Sequence, residues 1–260
     1  DVYKRQVINR ILVTNDDGID APGIKLLENI ALSLCSDVWV VAPSSERSGA
    51  GHSISLTNPI RSKKLSEKKF EVEGTPTDCV LMGLWQFMGE DQLPDLVLSG
   101  INSGANLAED VSYSGTIAAA MEATLMGIPA ISLSQVRPPR GKTDFLSAKE
   151  HAEKLVHKLV KFEDWPKDSL ININFPDCSG EETAGIEITS QGHRPPGSFT
   201  IEPRVDARNQ PYYWVRINHI QGNELPGTDL SAIALNKISV TTIKMNFTDE
   251  KWNDCLKTVL

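Results

Sequence analysis

The chain has 260 residues, 40% of them hydrophobic and 23% charged, with a formal net charge of -8 at pH 7; that length can bury a full core, and the negative balance disfavours binding to a DNA or RNA duplex or to an anionic membrane, which rests on a positive field. The four cysteines, Cys35, Cys79, Cys178 and Cys255, are scattered with no Cys-x-x-Cys pair, so no disulfide framework is expected. No apolar run approaches the roughly 18 residues of a membrane span and no signal-peptide core precedes the first apolar run, so a cytoplasmic protein is expected.

Asp1 to Gln6 carry no pattern of their own and are left out of the fold reading. The stretch that follows, Ile11-Leu12-Val13-Thr14-Asn15-Asp16-Asp17-Gly18, runs from residues suited to a buried strand into an amide, two adjacent carboxylates and a glycine. Adjacent carboxylates repel unless a cation sits beside them, and hard divalent cations prefer oxygen ligands. Asn and Asp also favour Asx-turns and helix N-caps, so the pair reads as a metal site or as a cap. Beyond Pro22, Ile24, Leu27, Ile30, Ala31 and Leu34 recur at helical spacing, which puts the pair on a strand-to-helix loop.

Residues 38–42 read as a second strand feeding a small, polar loop over 43–53. Residues 54–69 read as a hairpin or loop insertion, and 70–73 alternate like a strand. Pro76 then pre-sets a helix through Leu81, Leu84, Trp85 and Met88. A strand over 95–99 is followed by polar, glycine-bearing loops over 100–106 and 110–116. A helix over 117–126, closed by Gly127, leads to a strand over 130–133. Strands alternating with helices at this spacing argue for a mostly parallel sheet with helices on both faces. Its carboxyl edge would bring together the loops at 15–18, 44–53 and 100–106.

The texture changes from Val136, where Pro138, Pro139 and Gly141 make a break. Residues 145–162 read as an amphipathic helix, in which His151 and His157, six apart, are solvent-facing or structural, since metal-binding pairs on one helix face are spaced by three or four. Strands are expected over 170–174, 185–190, 212–217 and 238–243, with a turn-rich stretch over 191–210. Strands without intervening helices suggest an antiparallel C-terminal extension that needs a partner surface, most simply a second subunit. The organisation expected is a single domain: residues 7–135 form the core with the metal site, and 136–260 complete the core and add the extension and oligomerisation arm.

If Asp16 and Asp17 hold a divalent cation, Asn102 and a loop serine can complete an oxygen shell, and open positions admit a phosphate oxygen and a water. Phosphomonoester hydrolysis is the chemistry this suits. Arg47 either forks onto the phosphate or makes a surface ion pair. Ser114, Gly115 and Thr116 stand at a helix start whose free N–H groups suit an anion, and Ser114 and Thr116 are also respectable N-caps, just as Asn102 can simply lock its turn. No Gly-x-Gly-x-x-Gly and no Walker lysine loop is present.

Five ordered blocks, Asn15-Asp16-Asp17-Gly18 with Ala21-Pro22-Gly23, Val40-Val41-Ala42-Pro43 to Arg47-Ser48-Gly49, Gly74-Thr75-Pro76-Thr77-Asp78-Cys79-Val80, Ser99-Gly100-Ile101-Asn102-Ser103-Gly104-Ala105-Asn106, and Tyr113-Ser114-Gly115-Thr116-Ile117-Ala118-Ala119-Ala120-Met121-Glu122, together resemble the SurE family of 5'/3'-nucleotidases. Asn172-Ile173-Asn174-Phe175-Pro176, Tyr213-Trp214 and Gly227-Thr228-Asp229 carry the resemblance through the second half. It implies a Rossmann-like core and a C-terminal extension exchanged between the subunits of a homodimer, with pairing into tetramers left open. It also implies dependence on one divalent metal ion, Mg or Mn, with Asp16, Asp17, Ser48 and Asn102 as ligands. Asp16 and Asn102 are the expected catalytic residues, and Arg47, Asn106, Ser114, Gly115 and Thr116 the expected phosphate contacts. The implied substrates are nucleoside 5'- and 3'-monophosphates and, in some members, short polyphosphate.

Two other hydrolases fit less well. An aspartyl-phosphate phosphatase spaces its two carboxylates by one residue, and a zinc deacetylase wants histidine ligands, of which the first half offers only His52. From another class, a nucleotide-binding regulatory module without turnover remains an alternative.

Overall fold

A computed structural model describes residues 8–89, 92–162, 164–195, 197, 199–217 and 225–260. Asp1 to Gln6 lie outside the described residues. The first strand, β1 (Arg10–Thr14), is followed by helix α1 (Pro22–Leu34), with Pro22 at the helix start, where its missing N–H costs nothing. Strand β2 (Asp37–Pro43) follows, then a hairpin of β3 (Ser62–Ser66) and β4 (Lys69–Val72), which realises the hairpin reading of this region. Helix α2 (Pro76–Leu81) continues as a π-helical segment over Met82–Met88.

Strand β5 (Leu96–Ser103) runs four residues past the expected end at Ser99. The pairing register slips between Ser99 and Asn102, where Gly100 has φ +131 and a side-chain carbon would sit 2.2 Å from the Leu133 carbonyl oxygen. Only glycine lets the strand continue there. A short 3-10 turn (Ala108–Ser112), α3 (Gly115–Leu125), β6 (Ala130–Gln135), α4 (Leu146–Leu159) and β7 (Ser169–Phe175) complete the alternating part. Strands β8 (Ile186–Thr189), β9 (Phe199–Val205) and β10 (Pro211–Ile217), helix α5 (Asp229–Ala234), β11 (Ile238–Lys244) and helix α6 (Glu250–Leu256) follow.

Nine strands form one sheet in the order β3-β4-β2-β1-β5-β6-β7-β11-β8. Its centre is parallel: β4, β2, β1, β5, β6 and β7 each pair in parallel with the next. Period-two alternation divides the core. Ile11 and Val13 of β1 face α1 and α4, with Ile24, Leu27, Ala152 and Leu155, whereas Leu12 faces α2 and α3, with Val80, Leu84, Ile117 and Ala120. Helices therefore cover both faces, and the α/β expectation holds.

The second half differs from the expectation. β8 and β11 are not part of an extension; both lie in the main sheet, β11 antiparallel to β7 and parallel to β8 at the sheet edge. Strand pairing is set by tertiary packing, which local pattern cannot read. The antiparallel element set apart from this sheet is the β9–β10 hairpin. β9 falls in the stretch expected to be turn-rich, of which Pro196 and Ser198 lie outside the described residues; Pro203 is tolerated because β9 pairs on one edge only. Among the described residues no helix is long and apolar enough to cross a membrane.

Candidate active site

The strand order turns at β1, with β2 on one side and β5 on the other, so the carboxyl ends of β1 and β5 open a crevice where sheets of this kind hold ligands. Asn15 shapes the loop leaving β1: its Nδ2 donates to the Gly18 carbonyl at 2.9 Å and its Oδ1 accepts from the Gly18 N–H at 3.2 Å. That is the Asx-turn foreseen for this segment, but it occupies Asn15 and leaves the two carboxylates free for other partners.

Three further segments converge there. The Arg47 N–H donates to the Asp16 carbonyl at 2.8 Å, and the Ile19 N–H to the Pro43 carbonyl at 2.9 Å. From β5, the Ser103 N–H donates to Asp17 Oδ2 at 2.9 Å. From α3, the Thr116 hydroxyl donates to Asp16 Oδ1. Gly115 brings that helix in close, since a side-chain carbon on it would lie 2.8 Å from Asp16 Cβ. The electropositive end of α3 thus stands directly behind Asp16.

Asp16 is 3% exposed. Burial raises its carboxyl above the ordinary range, against the hydrogen bonds from Thr116. Burial likewise pushes Asp17 up to about 6, opposed by the Ser103 N–H and reinforced by the neighbouring charge of Asp16. Two carboxylates so placed call for a proton or a cation.

A cavity of about 480 Å³ opens in front of Asp16, lined also by Ser48, Asn102, Asn106, Ser114 and Arg137. Asn102 Nδ2 donates to the Gly104 carbonyl at 2.8 Å, which is the turn-locking role, while its Oδ1 accepts from none of the described residues. The Ser48 hydroxyl donates to Glu46 at 2.8 Å and keeps its lone pairs. Asn106 is anchored by β6 and β7. Its Nδ2 donates to Ser134 Oγ at 2.7 Å, its N–H to Asn174 Oδ1 at 2.8 Å, and its carbonyl accepts from Asn172 and Asn174 at 2.9 and 3.1 Å. The buried asparagines of β7 therefore fix the loop that follows Asn102 at the end of β5.

The other expected site residues divide between the cavity wall and its surroundings. Ser114 lines it and also caps α3, accepting from the Ile117 N–H at 3.1 Å. Gly115 and Thr116 are turned toward Asp16 rather than the opening. Arg47 meets the site through its backbone; its side chain is exposed and is not among those lining the cavity. Asp17 is held by Ser103 at the margin. His52 pairs with Glu122 at 2.9 Å, His151 with the Gly180 carbonyl at 3.0 Å and His157 with Ser33 at 3.0 Å.

The donor set suits a hard divalent ion. Among the described residues no group of three His, Cys, Asp or Glu is placed to bind a metal, so a metal shell here would rest on the two carboxylates with the Asn102 amide oxygen and the Ser48 hydroxyl, all hard oxygens. The hydroxyls of Thr14 and Ser99, register partners on β1 and β5 just below, are buried without a partner among the described residues, which marks the strand ends as unusually polar.

Three wall features escaped the sequence reading. Arg137 lies two residues beyond β6 and could have been found by extending the strand-end rule to that strand. Leu107, Tyr113 and Ile233 add an apolar side. Behind them Arg194, only 8% exposed, grips Asp110 through two hydrogen bonds of 3.0 and 2.9 Å; partners 84 residues apart leave no local signal.

The family model described as "Survival protein SurE" matches residues 11–197. A protein named 5'-nucleotidase SurE from Parvibaculum lavamentivorans is 51% identical over 256 residues, covering 96% of this chain and 92% of the relative. One of the same name from Rhodopseudomonas palustris is 46% identical over 255 residues, covering 96% and 99%. The crystal structure of the Sure protein from Aquifex aeolicus superposes with a TM-score of 0.81 at 36% identity, covering 96% of this chain and 99% of that one. With the match running through both the loops of the site and the strands that carry them, this chain belongs to the SurE family.

Proposed function

We propose that this chain is a divalent-metal-dependent phosphomonoesterase that hydrolyses nucleoside 5'- and 3'-monophosphates to nucleoside and phosphate. Short polyphosphate, whose terminal group presents the same oxygens, is a secondary substrate. The observation that carries this reading is Asp16, buried at the end of β1 and lining a cavity with Asn102 and Ser48 on its wall, with the half-buried Asp17 next to it. The names of the relatives, 5'-nucleotidase SurE, support the substrate class.

Asp16, Asp17, Ser48 and Asn102 would hold one Mg or Mn ion, which when bound neutralises phosphate charge and makes water a better nucleophile. The Thr116 hydroxyl holds Asp16 in one orientation, and the Asn102 side chain is fixed by Gly104, so the oxygens are arranged before substrate arrives. Asn106 and Ser114 present polar groups to the phosphate from the cavity wall, and the start of α3 favours the negative charge gathered there. In the net reaction water adds to phosphorus, the bond from phosphorus to the ester oxygen breaks, and that oxygen leaves with a proton as the nucleoside hydroxyl.

The chain works as a homodimer, with dimers free to pair further. The exposed β9–β10 hairpin and a terminal helix with no buried residue support this. All four cysteines are free, which supports a reducing, cytoplasmic setting.

Phosphate release from AMP and from 3'-AMP, measured with EDTA and with added Mg or Mn, tests the proposal. Release is expected only with metal and is expected to fall at least a hundredfold in Asp16→Ala. Nucleotide binding without release under any divalent metal would instead make the chain a binding module.

A further inference from the structure

Arg137 is the sole cationic side chain among the described residues that line the cavity, where it faces the acidic Asp16 and Asp110. Asp110 is already matched by Arg194. Arg137 itself makes no hydrogen bond or ion pair with any described residue. An unpaired guanidinium beside buried carboxylates, in a chain of net charge -8, is a receptor for an incoming anion.

Its backbone is placed as firmly as a strand end allows. β6 pairs with β5 through Asn102↔Ser134 and Ser103↔Gln135, so Arg137 emerges beside the end of β5 that carries Asn102. The Val136 N–H donates to the Phe175 carbonyl at 2.9 Å, and the Gly104 N–H to the Gln135 carbonyl at 2.9 Å. On the other side, Pro138 and Pro139 restrict the chain, and a residue before proline is held to extended backbone. The charge of Arg137 reaches Asp17, where it favours the ionised carboxylate.

We propose that Arg137 is the phosphate-binding cation of this site, contacting the dianion of the substrate from the cavity wall that it shares with Asp16 and Asn102, in the role first expected of Arg47. The assignment rests on the phosphomonoesterase reading for its substrate, but not for its ligand chemistry, which is a phosphate anion.

Titration calorimetry of inorganic phosphate in the presence of Mn, with the unaltered chain, Arg137→Gln and Arg137→Lys, tests it together with KM and kcat for AMP. Arg137→Gln is expected to weaken phosphate binding about tenfold and to raise KM by a similar factor, with kcat within about twofold, because a contact made equally to bound substrate and transition state moves KM alone. Lys recovers part of the loss, keeping the charge without the planar fork. Inhibition by adenosine, which lacks the phosphate, is expected to stay unchanged. Phosphate binding by Arg137→Gln within twofold of the unaltered chain, no phosphate binding by the unaltered chain, or an equal loss of adenosine inhibition would each overturn the assignment. If the unaltered chain binds phosphate through Arg137 yet releases none from AMP, the hydrolase reading fails and the Arg137 assignment stands.

Discussion

Asp17 carries a burial penalty in the fold that its neighbours only partly relieve. In the unfolded chain it ionises near its ordinary 3.8; folded, burial moves it to about 6. Between those values the folded state binds a proton that the unfolded state lacks, so this group favours folding at low pH and loses that advantage as pH rises through 6. Asp17→Asn is close in volume and cannot ionise. In EDTA its urea midpoint is expected to match the unaltered chain near pH 4 and to exceed it at pH 7.5, while its affinity for Mn falls at least tenfold. A variant less stable than the unaltered chain at pH 7.5 would show that Asp17 supports the fold rather than a ligand. The adjacent carboxylates stood out in the sequence because repulsion between them is a local fact. Which of the several serines and arginines nearby belong to the cavity was not legible, since Ser48 and Arg137 reach it only once β2 and β6 are laid beside β1 and β5.

The same limit governs whole elements. The parallel half was readable because most of its strands alternate with helices of their own period, and the helix entry expected at Pro76 is where α2 begins, with Thr75 and Asp78 adding a reciprocal capping box. What failed were contacts between distant elements. β11 has an ordinary strand pattern, and nothing in it says that it lies between β7 and β8. Helix α5 is short and is anchored at its first residue by Asp229, which is fully buried and accepts N–H bonds of 2.8 Å from Ala108, Gly192 and Leu230. That carboxylate joins the last third of the chain to the turn behind the cavity. Asp229→Ala removes the acceptor and strands buried donors, which is expected to cost about 2 kcal/mol. A loss in urea unfolding well under 1 kcal/mol would mean that the two segments hold together by other contacts.

At the scale of the molecule, the unsolved surface lies at the far end of the chain from the site. After β11 the chain leaves the sheet with Phe247, Trp252 and Val259 exposed by 78%, 61% and 81%, and α6 buries none of its residues. The β9–β10 hairpin adds Ile201, Tyr213, Trp214 and Val215, each at least 59% exposed. Apolar surface of this extent is unfavourable in water, and a second copy of the chain supplies a cover of matching character. A seven-residue helix with no buried residue is marginal alone, so packing on a partner would stabilise the arm. Deleting residues 248–260 spares every strand of the main sheet and the buried core. The truncated chain is therefore expected to keep its far-ultraviolet dichroism while its mass in sedimentation equilibrium falls from dimer to monomer, with the midpoint of thermal unfolding lowered and made independent of concentration. A full-length chain that sediments as a monomer at tens of micromolar, or a truncated one that remains dimeric, would move the interface away from this arm and leave the hairpin as the surface to be covered.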